Sequence, residues 1–321
     1  MKYIDVMSPK EKLAVIIPVF NEEACINELV KRILNLKESL DSVELSCIFV
    51  NDGSSDKSLA MLINYAQDYE FFKIINFSRN FGHQVAITAG LDYADADYVI
   101  IMDADLQDPP EVIKKLYEKI KEGYDVVYAE RAQRKGESYL KLKTAKWFYH
   151  LINRLGKVDI PLNTGDFRII NRQLHLELKR MREQHRFVRG MIPWLGFKST
   201  AIYYNRDKRY AGTTKYPFKR MLLFAMDAIF SFSNSPLRLA SYLGFLVAFF
   251  GIIGIFVILY FYLAYDNYIP GISATLVAIL LMGGIQLIMT GIIGEYIGRI
   301  FQESKARPLY VVESTFNFSN K

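Results

Sequence analysis

Short apolar runs alternate with amphipathic stretches over the first two thirds of the chain. "LAVIIP" (Leu13 to Pro18), "SCIFVN" (Ser46 to Asn51), "FFKIINF" (Phe71 to Phe77), "YVIIM" (Tyr98 to Met102) and "VVYA" (Val126 to Ala129) are continuous and β-rich. Runs of this kind suit strands covered on both faces. Between them, "EEACINELVKRILNLKESL" lines up Ile26, Leu29, Val30, Ile33 and Leu34 on one helical face. "SSDKSLAMLINYAQ" opens with Ser and Asp suited to an N-cap and first turn, and "PPEVIKKLYEKIKEG" has Pro at its start and Gly at its end. Strand and helix in alternation predict an α/β domain with a doubly wound, mostly parallel sheet.

The pattern changes after Pro236. Leu239 to Tyr265 and Asn267 to Gly294 each contain no charged residue, and each exceeds the roughly 20 apolar residues that cross a hydrocarbon core. They predict two transmembrane helices. "MKYIDVMSPKEKLAV" has no apolar h-region of a secretory signal. The expected division is a cytoplasmic domain over 1–205, a basic juxtamembrane or interfacial segment over 206–236, the two spans over 237–298 and a cytoplasmic tail over 299–321.

Composition and charge sharpen this picture. The 321 residues are 51% hydrophobic and 23% charged, which is globular rather than disordered. The net charge of +6 is unevenly placed. Arg206, Lys208, Arg209, Lys215, Lys219 and Arg220 precede the first span, and Arg299, Lys305 and Arg307 follow the second, whereas the link "DNYIPG" has no Lys or Arg. The positive-inside rule places both ends in the cytoplasm. A basic segment beside a span suits anionic lipid head groups rather than nucleic acid. "YPFKRMLLFAMDAIFSFS" has the composition of an interfacial helix. Cys25 and Cys47 form no metal or redox spacing and are read as packing residues, and the four histidines show no zinc-ligand spacing.

In a doubly wound sheet, ligands bind beyond the C-terminal ends of the strands. "PVFNEE", "NDGSSD", "SRNFGHQ" and "DADLQD" follow the first four strands. Four polar loops at one edge suit a polar ligand with a cation. No GxGxxG or GxxxxGK[ST] phosphate loop is present. Asp103 and Asp105, two residues apart, can direct carboxylates to one Mg²⁺ or Mn²⁺, with Gln107 adding a neutral oxygen. The competing reading is an Asx turn ahead of a proline-led helix. Asp108 is expected to be that helix's N-cap. Arg131, Arg168 and Arg189 are candidates to meet phosphate through the guanidinium fork. His83 and His185 are weaker candidates for a base.

"IIPVFNEE", "VNDGSSDKS", "SRNFGHQVAITAGLDYA", "MDADLQDPPE" and "TGDFRIINR" occur in the order found in family 2 glycosyltransferases of the polyprenyl-phosphate type. The chain resembles the bactoprenol glucosyltransferase branch, which is similar to dolichyl-phosphate mannose synthase and the aminoarabinose transferase of lipid A. The resemblance spans about Leu13 to Arg307. It implies a GT-A domain that moves a hexose, glucose foremost, from a UDP-sugar to undecaprenyl phosphate at the cell membrane with inversion. Pro18, Phe20 and Glu22 would form the uridine edge, and Asp52 would hold uracil or ribose. Asp103, Asp105 and Gln107 would hold the metal at the diphosphate. Phe20 stands where the family often has Tyr, so stacking survives without a hydroxyl. Asp166 would act as base or as an orienting group; a phosphate acceptor, mostly dianionic at pH 7, needs little help from a base. A mannose or aminoarabinose donor, a homo-oligomer and a non-catalytic membrane scaffold stay open. A haloacid-dehalogenase-like phosphatase fits poorly, because its acidic loop should follow the first strand and "DADLQ" follows the fourth.

Overall fold

The computed structural model describes residues 10–132, 164–207, 235–264 and 272–318. Thus Lys215, Lys219, Arg220 and the expected interfacial helix lie outside the described residues.

The five expected strands are present: β1 (Glu11–Val19), β2 (Val43–Asn51), β3 (Phe72–Phe77), β4 (Tyr98–Ile101) and β5 (Val126–Arg131). Three more join them: β6 (Thr164–Asn171), β7 (Ser199–Tyr204) and β8 (Val312–Phe316). The sheet order is β7-β5-β6-β4-β1-β2-β3-β8. β4, β1, β2 and β3 run parallel, as do β5 and β7, while β6 is antiparallel to both β4 and β5 and β8 is antiparallel to β3.

Helices cover both faces. Alternate residues of β1 serve different cores: Leu13, Val15 and Ile17 pack with α1 (Glu23–Glu38), α2 (Ser58–Asp68) and α4 (Val112–Ile120). Ala14 and Ile16 pack with α3 (His83–Tyr93), α5 (Arg172–Arg180) and α6 (Val188–Trp194). The two-residue period of a strand and the double winding are therefore the same fact. Cys25 and Cys47 are buried free thiols in the first of these cores, in keeping with the packing expectation.

Two long helices follow, α7 (Ser235–Ala264) and α8 (Ile272–Ser304). Among the described residues one stretch, the 24 residues Leu281–Ser304, is long and apolar enough to cross a membrane; the apolar stretch Ala240–Gly254 in α7 is shorter. The chain then returns to the first domain. Gln184 donates from its backbone to Glu303 and from its side chain to the Arg307 carbonyl, and β8 adds to the edge of the sheet. Within the tail expected over 299–321, β8 thus forms an edge strand of the α/β sheet.

Candidate active site

The strand register brings the candidate residues together. β6 runs antiparallel to β4 with Ile101 opposite Arg168. Two residues beyond that pair stand Asp103, past the end of β4, and Asp166 on β6. β5 ends at the same edge, with Arg131 opposite Tyr204 of β7.

Asp166 is the hub. It is buried and takes a two-pronged bond from Arg189, Nε to Oδ1 and Nη2 to Oδ2, both at 2.8 Å. His83 Nε2 lies 3.1 Å from Oδ2 and Arg168 Nη2 3.4 Å from Oδ1. Burial would raise the Asp166 carboxyl, but Arg189 and His83 hold it well below the usual carboxylate range. A carboxylate so committed is a poor proton acceptor. It orients cationic side chains.

Asp103 differs. Its Oδ1 is buried and accepts no hydrogen bond, with His83 Nε2 3.4 Å away. Burial pushes the Asp103 carboxyl up to about 6, opposed by His83 and reinforced by Asp166, Asp108 and Asp105. Burial would lower the His83 imidazole, but its bond to Asp166 and the charges of Asp103 and Asp166 raise it to about 9. One ligand atom from each of His83, Asp103 and Asp166 lies within 4.8 Å of the others. An orphaned buried carboxylate oxygen beside an imidazole and a second carboxylate fits a divalent cation.

The expected partners of Asp103 take another form. Asp105 is buried and its Oδ1 accepts from the Gln107 backbone at 3.1 Å, shaping a turn in which Leu106 adopts φ +58°. Asp105 stands outside the His83–Asp103–Asp166 group. Asp108 is not a helix cap: α4 starts at Val112 after Glu111. It is fully buried, accepts from the Tyr204 hydroxyl and has Arg206 Nε at 3.6 Å from Oδ1. Short acidic runs do not reveal which carboxylate turns inward, because a strand added 96 residues later decides it.

The arginines separate as well. Arg168 is only 1% exposed. It donates to the carbonyls of Gly165 and Asp166, and its guanidinium lies 5.3 Å from the centre of the Tyr128 ring. These contacts tie its guanidinium to the scaffold, in contrast to the acceptor role expected from the sequence. Arg189 keeps 27% of its side chain exposed. Arg131 is partly exposed, with a buried Nε that lacks a hydrogen bond. His185, the other histidine considered as a base, also has a buried Nε2 without a partner, but it lies outside the His83 group.

On the other side, the loops after β1, β2 and β3 are laced together. Asn21, at φ +54°, accepts from the Ser55 backbone and donates from its own backbone to Ser54 Oγ; the Glu22 backbone donates to Ser58 Oγ. Asp52 is buried and its carboxylate takes the backbone N–H groups of Phe81 and Gly82. Burial raises its carboxyl despite those bonds. Asp52 therefore holds the turn that leads into His83, the first residue of α3. Pro18 is buried within β1, while Phe20 is 40% exposed. A lone histidine usually caps or packs, and the sequence signal for His83 is its place beyond β3 of a parallel sheet.

Comparison with known proteins shows the family. Residues 14–178 match glycosyl transferase family 2, and residues 235–300 match the GtrB C-terminal hairpin. The uncharacterised glycosyltransferase YkcC of Bacillus subtilis is 49% identical over 98% of this chain and 97% of its own. A prophage bactoprenol glucosyl transferase homolog of Escherichia coli is 40% identical over 94% of this chain and 98% of its own. The bactoprenol glucosyl transferase of Shigella phage SfV is 40% identical with the same coverage.

Proposed function

The chain belongs to glycosyl transferase family 2, and we propose that it moves a hexose, glucose foremost, from a UDP-sugar to a polyprenyl phosphate at the cytoplasmic face of the cell membrane. The observation that carries this reading is the His83–Asp103–Asp166 group at the C-terminal edge of the sheet, flanked by Arg189 and Arg131. Phe20 and the loops pinned by Asp52 offer the nucleotide side. Arg189 and Arg131 offer the phosphate side.

The acceptor is a phosphate monoester with a second pKa near 6, so it is already a nucleophile at neutral pH. One of its oxygens forms a bond to the anomeric carbon as the bond from that carbon to the UDP oxygen breaks. UDP leaves with the electron pair, the configuration inverts, and no proton has to be removed. Asp166 fits this chemistry as the group that aims Arg189 and His83. Asp103, with His83 in its neutral form, would hold Mg²⁺ or Mn²⁺ beside Asp166, whose two oxygens stay on Arg189. A bound divalent cation supplies positive charge against the diphosphate of the leaving nucleotide.

The apolar helices suit a lipid acceptor. Large side chains such as Phe245, Phe249 and Phe256 on α7 and Leu287, Ile288 and Ile300 on α8 are exposed, which water does not favour over so large an area. β8 pairs with β3, so the chain after α8 is on the same side as the α/β domain. In this reading α7 and α8 cross as a hairpin, which returns the chain to the α/β domain.

The test is transfer itself. The full chain in bilayers, given undecaprenyl phosphate, Mn²⁺ and labelled UDP-glucose, should place label in the organic phase. Label in the lipid only from another nucleotide sugar would reassign the donor, and no lipid label from any would overturn the reading.

A further inference from the structure

β8 reaches the nucleotide side of the site through a line of polar side chains. The strand pairs with β3, with Ser314 opposite Asn76. It is fixed at its start by Ser78 N–H donating to the Val311 carbonyl at 3.1 Å and by Tyr310 stacked on Phe77. From there Asn76 Nδ2 donates to Glu313 Oε2 at 2.9 Å and to Ser314 Oγ at 3.4 Å. Asn76 Oδ1 accepts from Asn51 Nδ2 at 2.8 Å. Asn51 and Asn76 are both buried, and Asn51 Oδ1 ends the line with no hydrogen-bond partner. Asn51 immediately precedes Asp52, which holds the Phe81–Gly82 turn.

The sense of this line is set at its exposed end. A carboxylate only accepts, so Asn76 must turn its NH₂ toward Glu313. Its oxygen then faces Asn51, which must present its own NH₂. An oxygen is left at the far end of the line, where β2 stops. A buried acceptor without a partner is costly, and a donor brought by a ligand relieves that cost. We infer that Glu313 is a positioning residue for the nucleotide: it fixes the sense of the Asn76–Asn51 line, so that an oxygen rather than an NH₂ meets a hydrogen donor of the bound nucleotide. The inference rests on the donor reading above. It also gives the strand after the membrane hairpin a part in the chemistry that no motif of the first domain carries.

The experiment measures UDP binding by calorimetry, with Mn²⁺, on the full chain in detergent. Glu313→Lys places a donor against Asn76 and forces the line to reverse. It should weaken UDP binding about tenfold, the size expected when one buried hydrogen bond becomes a mismatch. Its melting temperature should stay near that of wild type, because residue 313 is exposed. Glu313→Gln can still accept and should bind UDP like wild type. Asn76→Asp combined with Glu313→Lys restores an acceptor toward Asn51 and should recover the affinity. Equal UDP affinity in Glu313→Lys and wild type would overturn the inference while leaving the donor reading intact. Equal losses in Glu313→Gln and Glu313→Lys, or no recovery in the double variant, would also overturn it. Wild type that binds no UDP would overturn the donor reading and this inference with it.

Discussion

Arg189 grips Asp166 with both prongs of its guanidinium, at 2.8 Å each, from a helix that the sequence places 23 residues further on. The pair is asymmetric: Asp166 is buried and Arg189 is not. Removing the arginine therefore leaves a buried charge behind. Arg189→Ala should cost about 3 kcal/mol of stability and most of the transfer activity. Asp166→Asn combined with Arg189→Ala should cost less than the sum of the single changes. Thermal unfolding of the four proteins measures this, and strict additivity would break the proposed pairing.

Asp103 and Asp105 are predicted to behave differently despite their shared motif. Asp103→Asn removes the carboxylate charge and should abolish high-affinity Mn²⁺ binding, read by the electron paramagnetic resonance signal of free Mn²⁺. Asp105→Asn disturbs the turn that receives the Gln107 backbone. It should keep measurable Mn²⁺ binding. Equal loss in both variants would restore the paired-carboxylate site expected from the sequence.

Two glycines test the donor-side loops against the core. At Gly53, φ is +66° and a Cβ would fall 2.5 Å from backbone atoms of Arg79 and Asn80. Gly53→Ala should push away the loop held by Asp52 and weaken UDP binding at least tenfold, about 1.4 kcal/mol, read by calorimetry. At Gly90 a Cβ would fall 2.2 Å from Ile16 Cγ2 in the core. Gly90→Ala should lower stability by about 1–3 kcal/mol and leave UDP affinity of the folded protein unchanged.

His175 is buried, with its Nε2 donating to the Leu91 carbonyl at 2.7 Å. Burial lowers its imidazole below the ordinary value, outweighing that bond. The native state thus keeps it neutral, whereas the unfolded imidazole takes a proton near pH 6.5. The stability it contributes is fully present above about pH 6.5 and is lost as pH falls toward the lowered native value. Melting temperatures from pH 7 to pH 5 should fall less steeply in His175→Gln, whose amide can still donate to Leu91. An unchanged slope would remove His175 as the cause.

The return of the chain to β3 makes a topological prediction. Tags placed after Lys321 and within the first domain should be protected together in right-side-out cells, while a tag at Asn267 should be accessible from outside. Opposite protection of the two ends would exclude the hairpin.

The run of β-rich apolar segments and amphipathic helices determined the parallel half of the sheet, its double winding and the edge where a ligand binds. It could do so because strand period, helix period and crossover handedness are local or nearly local rules. The five loop motifs likewise pointed to the family. What only the tertiary structure decided is which charges face each other. Asp166 meets Asp103 because β6 enters antiparallel beside β4, a pairing between segments more than 60 residues apart whose register no local pattern records. The same pairing buries Arg168, which the sequence offered as a phosphate ligand, while Arg189, on α6, keeps part of its side chain exposed. Asp108 turned inward because Tyr204 reached it, and Glu313 gained a partner because the last strand came back from the apolar helices to the edge of the sheet. Burial and pairing set what each carboxylate does, and both are properties of neighbours distant in sequence.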